Sequence, residues 1–467
     1  MIPESVSPTL DNGQIETFDN RSSSLTRGNN ETQDDFQKWR VIASASAFLF
    51  VGIGYSNTFG VFQEYYQTVL FPNESPMKLL AIGSVASSLY LILGAFTGRF
   101  ADLVGYRISV TLGAALMIGS MFVASVSKEY WQFFLSQGLM FGLGVAFAYL
   151  PAVTISRQYF GSRKHGLANG IVVSGGALGG CFLPYCVREL LYKEGLPQAF
   201  RVLGYIAIGI LTPSIVFLKP RAGKLETRRS RENRQRPLMD LSLLKDARFD
   251  VLLVAGTIAM TGFLPRYFLI PPSAIAKGVS STYTSWLLGL MNGLSIVGRV
   301  GIGWLADRHG KVNALSASFI LCGIGHFVFW LPGVALKGTS ATTALFTLFV
   351  VYTGIFGSGF VSLFPVVVAH LFGADSLASK VGLLNTVTGL GTLAGPAAVY
   401  AIIGEGTQKH WVVGVLSAGL FMFVGGLMMA TALSWISKAT KDRDEEHPLE
   451  RTMDGSNDCV GQDQRRF

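Results

Sequence analysis

Arg299 stands inside an apolar run, in the stretch Met291–Lys311, MNGLSIVGRVGIGWLADRHGK. At helical spacing Gly289, Asn292, Ser295, Arg299 and Gly303 share one face, and the residues between them are mostly apolar. A guanidinium stays charged, and inserting it into a hydrocarbon span costs roughly 2.5–3.5 kcal/mol, so such residues face a cavity or a partner. The chemistry on offer is binding: a fork of N–H donors recognises an anion. The plainer reading is a long side chain whose head reaches the membrane surface.

Around Arg299, the candidates for hydrogen bonds to a substrate are Asn57, Asn292, Ser295, Tyr149 and Asn385. Asparagine in a span serves a cavity or a neighbouring helix equally well. Histidine ordinarily titrates close to neutral pH, which makes His326 a candidate for proton coupling, or simply a bond to the next helix. No Asp or Glu lies deep in an apolar run; Glu64, Glu189 and Glu405 fall near the ends, so a carboxylate proton relay is not expected. Arg266 reads as an interface residue.

Two charged turns have one outline. Gly98-Arg-Phe-Ala-Asp102-Leu-Val-Gly105-Tyr-Arg107 is matched by Gly303-Trp-Leu-Ala-Asp307-Arg308-His-Gly310-Lys311. Asp102 and Asp307 can each meet the positive N-terminus of a helix and pair with a nearby arginine. These residues form the expected gate, with Arg107, Arg308 and Lys311 as its cations. Solvated loops would explain each turn alone, but not their recurrence at equivalent places.

The elements that must position these groups are membrane helices. Half of the 467 residues are hydrophobic and 14% are charged, unlike a soluble globular chain. Twelve apolar runs are long enough to cross a core of about 30 Å. They begin near Val41, Met77, Ile108, Gln132, Gly166, Val202, Phe249, Thr284, Val312, Thr342, Val381 and Val412. The seven tryptophans fall near predicted span ends, where interfacial belts form.

A second recurrence extends the repeat. Gly166-Leu-Ala-Asn169 opens the fifth span and Gly382-Leu-Leu-Asn385 the eleventh, with Gly175 and Gly179 matched by Gly391 and Gly395. The expected fold is therefore all-α: twelve transmembrane helices in two pseudo-symmetric six-helix bundles, with substrate between them. The expected divisions are a disordered tail 1–39, bundles 40–218 and 249–436, a basic linker 219–248 and a tail 437–467. A short surface helix is expected over 240–249.

The net charge of +9 reports topology rather than a nucleic-acid partner. Most Lys and Arg fall on the face that carries both termini, which the positive-inside rule makes cytoplasmic. The linker run RRSRENRQR suits anionic lipid at that face. No apolar core precedes Val41, so no cleaved signal peptide is expected. Cys181, Cys186 and Cys322 lie in spans and Cys459 in the tail, which suits packing. Metal-ligand clusters, a nucleophile elbow and a P-loop lysine are not found, so no enzyme, cofactor or metal is expected. Gly389-Leu-Gly-Thr-Leu-Ala394 fits a dinucleotide fingerprint by letter, but it lies inside a span with no preceding strand.

Asn57-Thr-Phe-Gly-Val-Phe-Gln63, Trp131-Gln-Phe-Phe-Leu-Ser-Gln-Gly138, Tyr159-Phe-Gly-Ser-Arg-Lys164 with Gly166-Leu-Ala-Asn-Gly170, and Gly298-Arg299 with Asp307-Arg308 carry a family resemblance. The chain resembles carriers of the major facilitator superfamily, and is most similar to the fungal branch of the monocarboxylate porters. The likeness covers roughly Trp39 to Trp435. It implies a scaffold of rocking bundles and places Arg299 where the animal porters hold the substrate carboxylate. Their proton-linked aspartate corresponds to Ser295 and their first-span lysine to Asn57, so two of three groups differ. The implied function is carriage of a small organic anion, with export of a larger carboxylate-bearing metabolite as an alternative and a non-transporting sensor as another. The expected location is the plasma membrane, then the vacuolar membrane; a monomer is expected.

Overall fold

The computed structural model describes residues 36–161, 163–220, 241–336, 338–403 and 408–446. They form twelve long helices. In the N-terminal half these are α1 (Phe36–Leu70), α2 (Pro76–Ile92 with Gly94–Val104), α3 (Tyr106–Val126), α4 (Tyr130–Tyr159), α5 (His165–Glu194) and α6 (Leu196–Phe217). The C-terminal half has α7 (Ala247–Ile275), α8 (Ser281–His309), α9 (Lys311–Ala335), α10 (Thr339–Phe356 with Gly359–Phe372), α11 (Leu377–Ile403) and α12 (Gln408–Glu446). Eleven are long and apolar enough to cross a membrane, α1, α7 and α10 among them with short breaks at Thr58, Leu264 and Gly357–Ser358, and the two parts of α2, bent by 53°, make a twelfth together. Helices answer the bilayer's demand that each backbone N–H and C=O be paired within the segment.

The helices outrun the expected boundaries: α1 starts at Phe36 and α12 continues to Glu446. The surface element is a 3₁₀ turn at Leu241–Lys245, and the basic run of the linker lies outside the described residues. Asp246 then caps α7, its carboxylate accepting the Arg248 N–H at 2.9 Å. Trp330 does not join an interfacial belt; it is fully buried and donates from Nε1 to Ser273 Oγ at 3.2 Å. Its indole fills the core between α7 and α10, which a surface position would leave hollow.

An even number of spans puts 36 and 446 on one face, together with the end of α6 at Phe217 and the start of α7 at Ala247. At this termini-bearing face one apolar core joins both halves, whereas the opposite part of the C-terminal half, around Leu269, Leu287, Trp330 and Phe349, has its own. Between the halves, α5 packs on α8 and α10, and α2 on α11. The outer parts of α1 and α7 pack within their own halves: Phe59–Tyr65 on α5 and α2, Pro265–Ile275 on α8, α10 and α11. The molecule is thus fastened at the face that carries the termini.

Candidate functional site

The fastening is built from glycines and two carboxylates. A side chain at Gly166 would run into the Gly303 carbonyl, and one at Gly382 into that of Gly94, so bare backbones meet on both seams. Gly98 packs equally closely on Ala378. The turns beside them need φ of +103° at Gly105 and +100° at Gly310, which favours glycine. These turns aim each aspartate across the boundary.

Asp307 of α8 accepts the Gly166 and Leu167 N–H groups, both at 2.9 Å, in the first turn of α5. Asp102 of α2 accepts the Ser379 N–H at 2.8 Å and its hydroxyl at 2.6 Å, in the first turn of α11. Each carboxylate therefore caps a helix of the other half, satisfying orphan donors and the positive helix end together. The expected partners of the gate are corrected in one respect. Arg107 and Arg308 are exposed, and Arg308 stacks on Trp304, 4.1 Å from the ring centroid. Buried Arg99 and Lys311 are the cations within electrostatic reach of Asp102 and Asp307. Arg107 in the first turn of α3 and Arg308 in the last turn of α8 project from the rim of the bundle to water, while residues facing the seam cannot.

Arg299 ends the α5–α8 seam. It is 6% exposed, and Nη1 donates to the Val173 carbonyl of α5 at 2.5 Å. Its Nε–H has no partner among the described residues. Tyr90, Tyr149 and Tyr267 lie within electrostatic reach, and the rings of Tyr90 and Tyr149 meet at 5.0 Å. Tyr90 and Tyr267 were missed in the sequence, because a tyrosine in a span carries no spacing signal. Ser295 is buried and donates to the Asn292 carbonyl at 2.7 Å, while Asn292 is half-buried on the same helix. Asn385 lies on the other seam beside Gly94, and its buried Nδ2 has no partner among the described residues. Asn57 is exposed and packs against Gly180 of α5. So the fold gathers Arg299 and Tyr149 with two further tyrosines, and distributes the three asparagines over separate helix boundaries.

His326 is fully buried inside the C-terminal half, between Trp330 and Phe349, with Nδ1 2.8 Å from the Cys322 carbonyl. Arg266 is not an interface residue: it is 1% exposed. Its guanidinium donates to Cys322 Sγ at 2.9 Å, to the Thr353 carbonyl at 3.4 Å and to the Gly357 carbonyl at 3.1 Å. The last two carbonyls flank the break in α10, where Thr353 also accepts the Gly357 N–H at 2.9 Å, so the cation reinforces the end of the first α10 segment. The Phe263 ring lies 4.3 Å beneath it.

The family profile described as Major Facilitator Superfamily matches residues 44–274 and 251–453. The MFS-type transporter pynF of Aspergillus niger is 29% identical over 396 residues, covering 85% of this chain and 86% of that one. The aspyridones efflux protein apdF of Emericella nidulans is 29% identical over 391 residues, covering 83% and 76%. Among solved structures, the proton:xylose symporter XylE superposes with a TM-score of 0.63 at 14% identity, covering 87% of this chain and 96% of that one. The human organic anion transporter MFSD10 gives 0.62 at 15%, covering 85% and 98%. At such identities the structural likeness speaks for the fold alone.

Proposed function

This chain belongs to the major facilitator superfamily, as a multi-pass membrane transporter and not an enzyme, and from that premise we propose that it exports an acidic secondary metabolite. The observation that carries the reading is Arg299: a buried guanidinium with an open Nε–H, ringed by phenols, where the two halves part. An anionic oxygen is the ligand such a donor set selects. The relative named for aspyridones efflux supports the outward direction. Tyr149, with Tyr90 and Tyr267, offers flat apolar faces and hydroxyl donors to such a molecule. The monocarboxylate-porter likeness supports the anion and leaves the small-carboxylate uptake route as the competing outcome.

Alternating access follows from the seam. With Asp102 and Asp307 engaged, the termini-bearing face is shut and the site opens the other way; rocking the halves breaks both caps and Arg299's bond to Val173. The positive-inside charge pattern supports cytoplasmic termini, and the plasma membrane is the location an exporter requires. The test is untargeted metabolite profiling of cells and medium after gene deletion, overexpression, and overexpression of Arg299→Ala. The reading expects an acidic compound that moves from medium to cells on deletion and is not restored by the variant. A neutral compound, or full export by Arg299→Ala, would sink it.

A further inference from the structure

Lys311 opens α9 at the termini-bearing face, beside the gate. Three features of its position are unfavourable for an ammonium. It is 7% exposed; it stands at a helix N-terminus, the positive end; and Arg157 is within electrostatic reach. No hydrogen-bond acceptor among the described residues reaches it. The acid in its reach is Asp307, whose two oxygens are already held by the α5 amides. The Lys311 ammonium, at the positive end of a helix and with Asp307's oxygens occupied, is left to water or to a bound anion.

Neighbouring groups from three other helices add to the donors available here. His165, the first residue of α5, is 1% exposed, and its Nε2 has no partner among the described residues. It lies within electrostatic reach of both Arg157 and Lys311, as does His370, which is exposed at the end of α10 and gives the cluster a side open to water. Among the described residues Arg157 has one hydrogen bond of its own, to the Phe160 carbonyl at 3.4 Å. Four helices and both halves thus contribute.

We propose that a tetrahedral oxyanion of the phosphate class binds here, between Arg157 and His165 of the N-terminal half and Lys311 and His370 of the C-terminal half. Such an ion has enough acceptor oxygens for a guanidinium, an ammonium and an imidazole N–H together. Bound, it ties the halves across the closed gate and favours the conformation shut at this face. Inorganic phosphate and the headgroup of phosphatidic acid share this chemistry. The proposal stands apart from what Arg299 carries.

Full-length protein purified in detergent without phosphate is melted in sodium phosphate and in sodium chloride at equal ionic strength. The site predicts a saturable rise in Tm with phosphate, with half-saturation shifted by roughly tenfold in Lys311→Gln and in Arg157→Gln, one charge-assisted bond being lost in each. Without phosphate, Lys311→Gln melts at or above the wild-type temperature, since it removes a cation from the positive end of a helix beside Arg157; a merely structural lysine gives the opposite sign. Nanodiscs of phosphatidylcholine with and without phosphatidic acid form the second arm. A rise with phosphatidic acid that both variants lose supports the site with lipid as its source. A phosphate response unchanged in both variants overturns the proposal, as does the lack of any response to phosphate and to phosphatidic acid.

Discussion

Where the N-terminal half presents Gly94 to its partner, the C-terminal half presents Arg299. Each stands four residues before the glycine that opens a charged turn, Gly98 or Gly303. Gly94 lets α2 lie against α11 at Gly382, and Thr386 of α11 fills the nearby break, accepting the Ala95 N–H at 2.9 Å. Arg299 instead spans the seam with its side chain. The contrast recurs at the breaks. Near the break in α1, Gln137 donates to the Tyr55 hydroxyl at 2.9 Å and accepts from Tyr66 at 2.8 Å. Near the break in α7 stands Arg266. The duplicated parts are those that fasten the halves, whereas Arg299 and Arg266 have no counterpart in the N-terminal half. A carrier that rocks needs matched hinges and gates, while recognition of an asymmetric ligand does not.

The sharpest way to break this comparison is to make the halves alike. Arg299→Gly copies the N-terminal residue, and export of the acidic metabolite should fall by about 100-fold, the loss of a charged hydrogen bond to substrate. Arg299→Lys keeps the charge without the fork and should fall between the two. Efflux rates from preloaded cells measure both. Equal rates for Arg299→Gly and wild type would mean that the asymmetry has no part in recognition.

A bulky residue on the glycine seams tests the duplicated part. Gly166→Val forces a branched side chain against the Gly303 carbonyl, and Gly382→Val does the same at Gly94. Overpacking of this kind costs 1–3 kcal/mol, so each should shift the balance away from the closed termini-bearing face by about thirtyfold. Nitroxides at Val104→Cys and His309→Cys, exposed at the ends of α2 and α8, report the separation of the halves by dipolar spectroscopy. A closed distance retained in both valine variants would contradict the seam.

The gate carboxylates should differ in degree. Asp307→Ala strands two backbone N–H groups, whereas Asp102→Ala strands one and a hydroxyl that can rotate to another acceptor. With caps worth about 0.5–2 kcal/mol, the same spin pair should show roughly a tenfold shift for Asp307→Ala and roughly threefold for Asp102→Ala. The reverse order would show that the two caps are not built as described.

Much of this was legible before any coordinates. Apolar length reported the twelve spans, and the repeated Gly–Asp–Gly outline reported the gate, because lipid and tight turns restrict composition locally. What stayed hidden depends on which residues the fold brings together. Ser379 bears no mark of a capping partner, and the Gly166 and Leu167 donors are backbone, which any residue supplies. Arg266 reads as an interface residue from its place near a span end, because depth along a span says nothing about which way a side chain faces. The phenols around Arg299 come from α2, α4 and α7, helices far apart in the chain, and that gathering is a property of packing.

Arg107 and Arg308 give the smallest effect and the finest discrimination. Both have the charge and the position in the turn that suggest a gate pair, yet both are exposed, and the Arg308 guanidinium rests on Trp304 of its own helix. Exposed cation–π and ion contacts are worth at most about 1 kcal/mol and do not cross the boundary here, so Arg107→Ala and Arg308→Ala should each leave the spin-pair distances within about twofold of the wild-type balance. The buried cations behave otherwise: Arg99→Ala removes a charge near Asp102 from a site that water cannot refill. If the surface arginines moved the equilibrium as much as Asp307→Ala does, the gate would be held by solvated ion pairs. Raising salt would then open it in the wild type, whereas caps made of backbone amides are insensitive to salt at this depth.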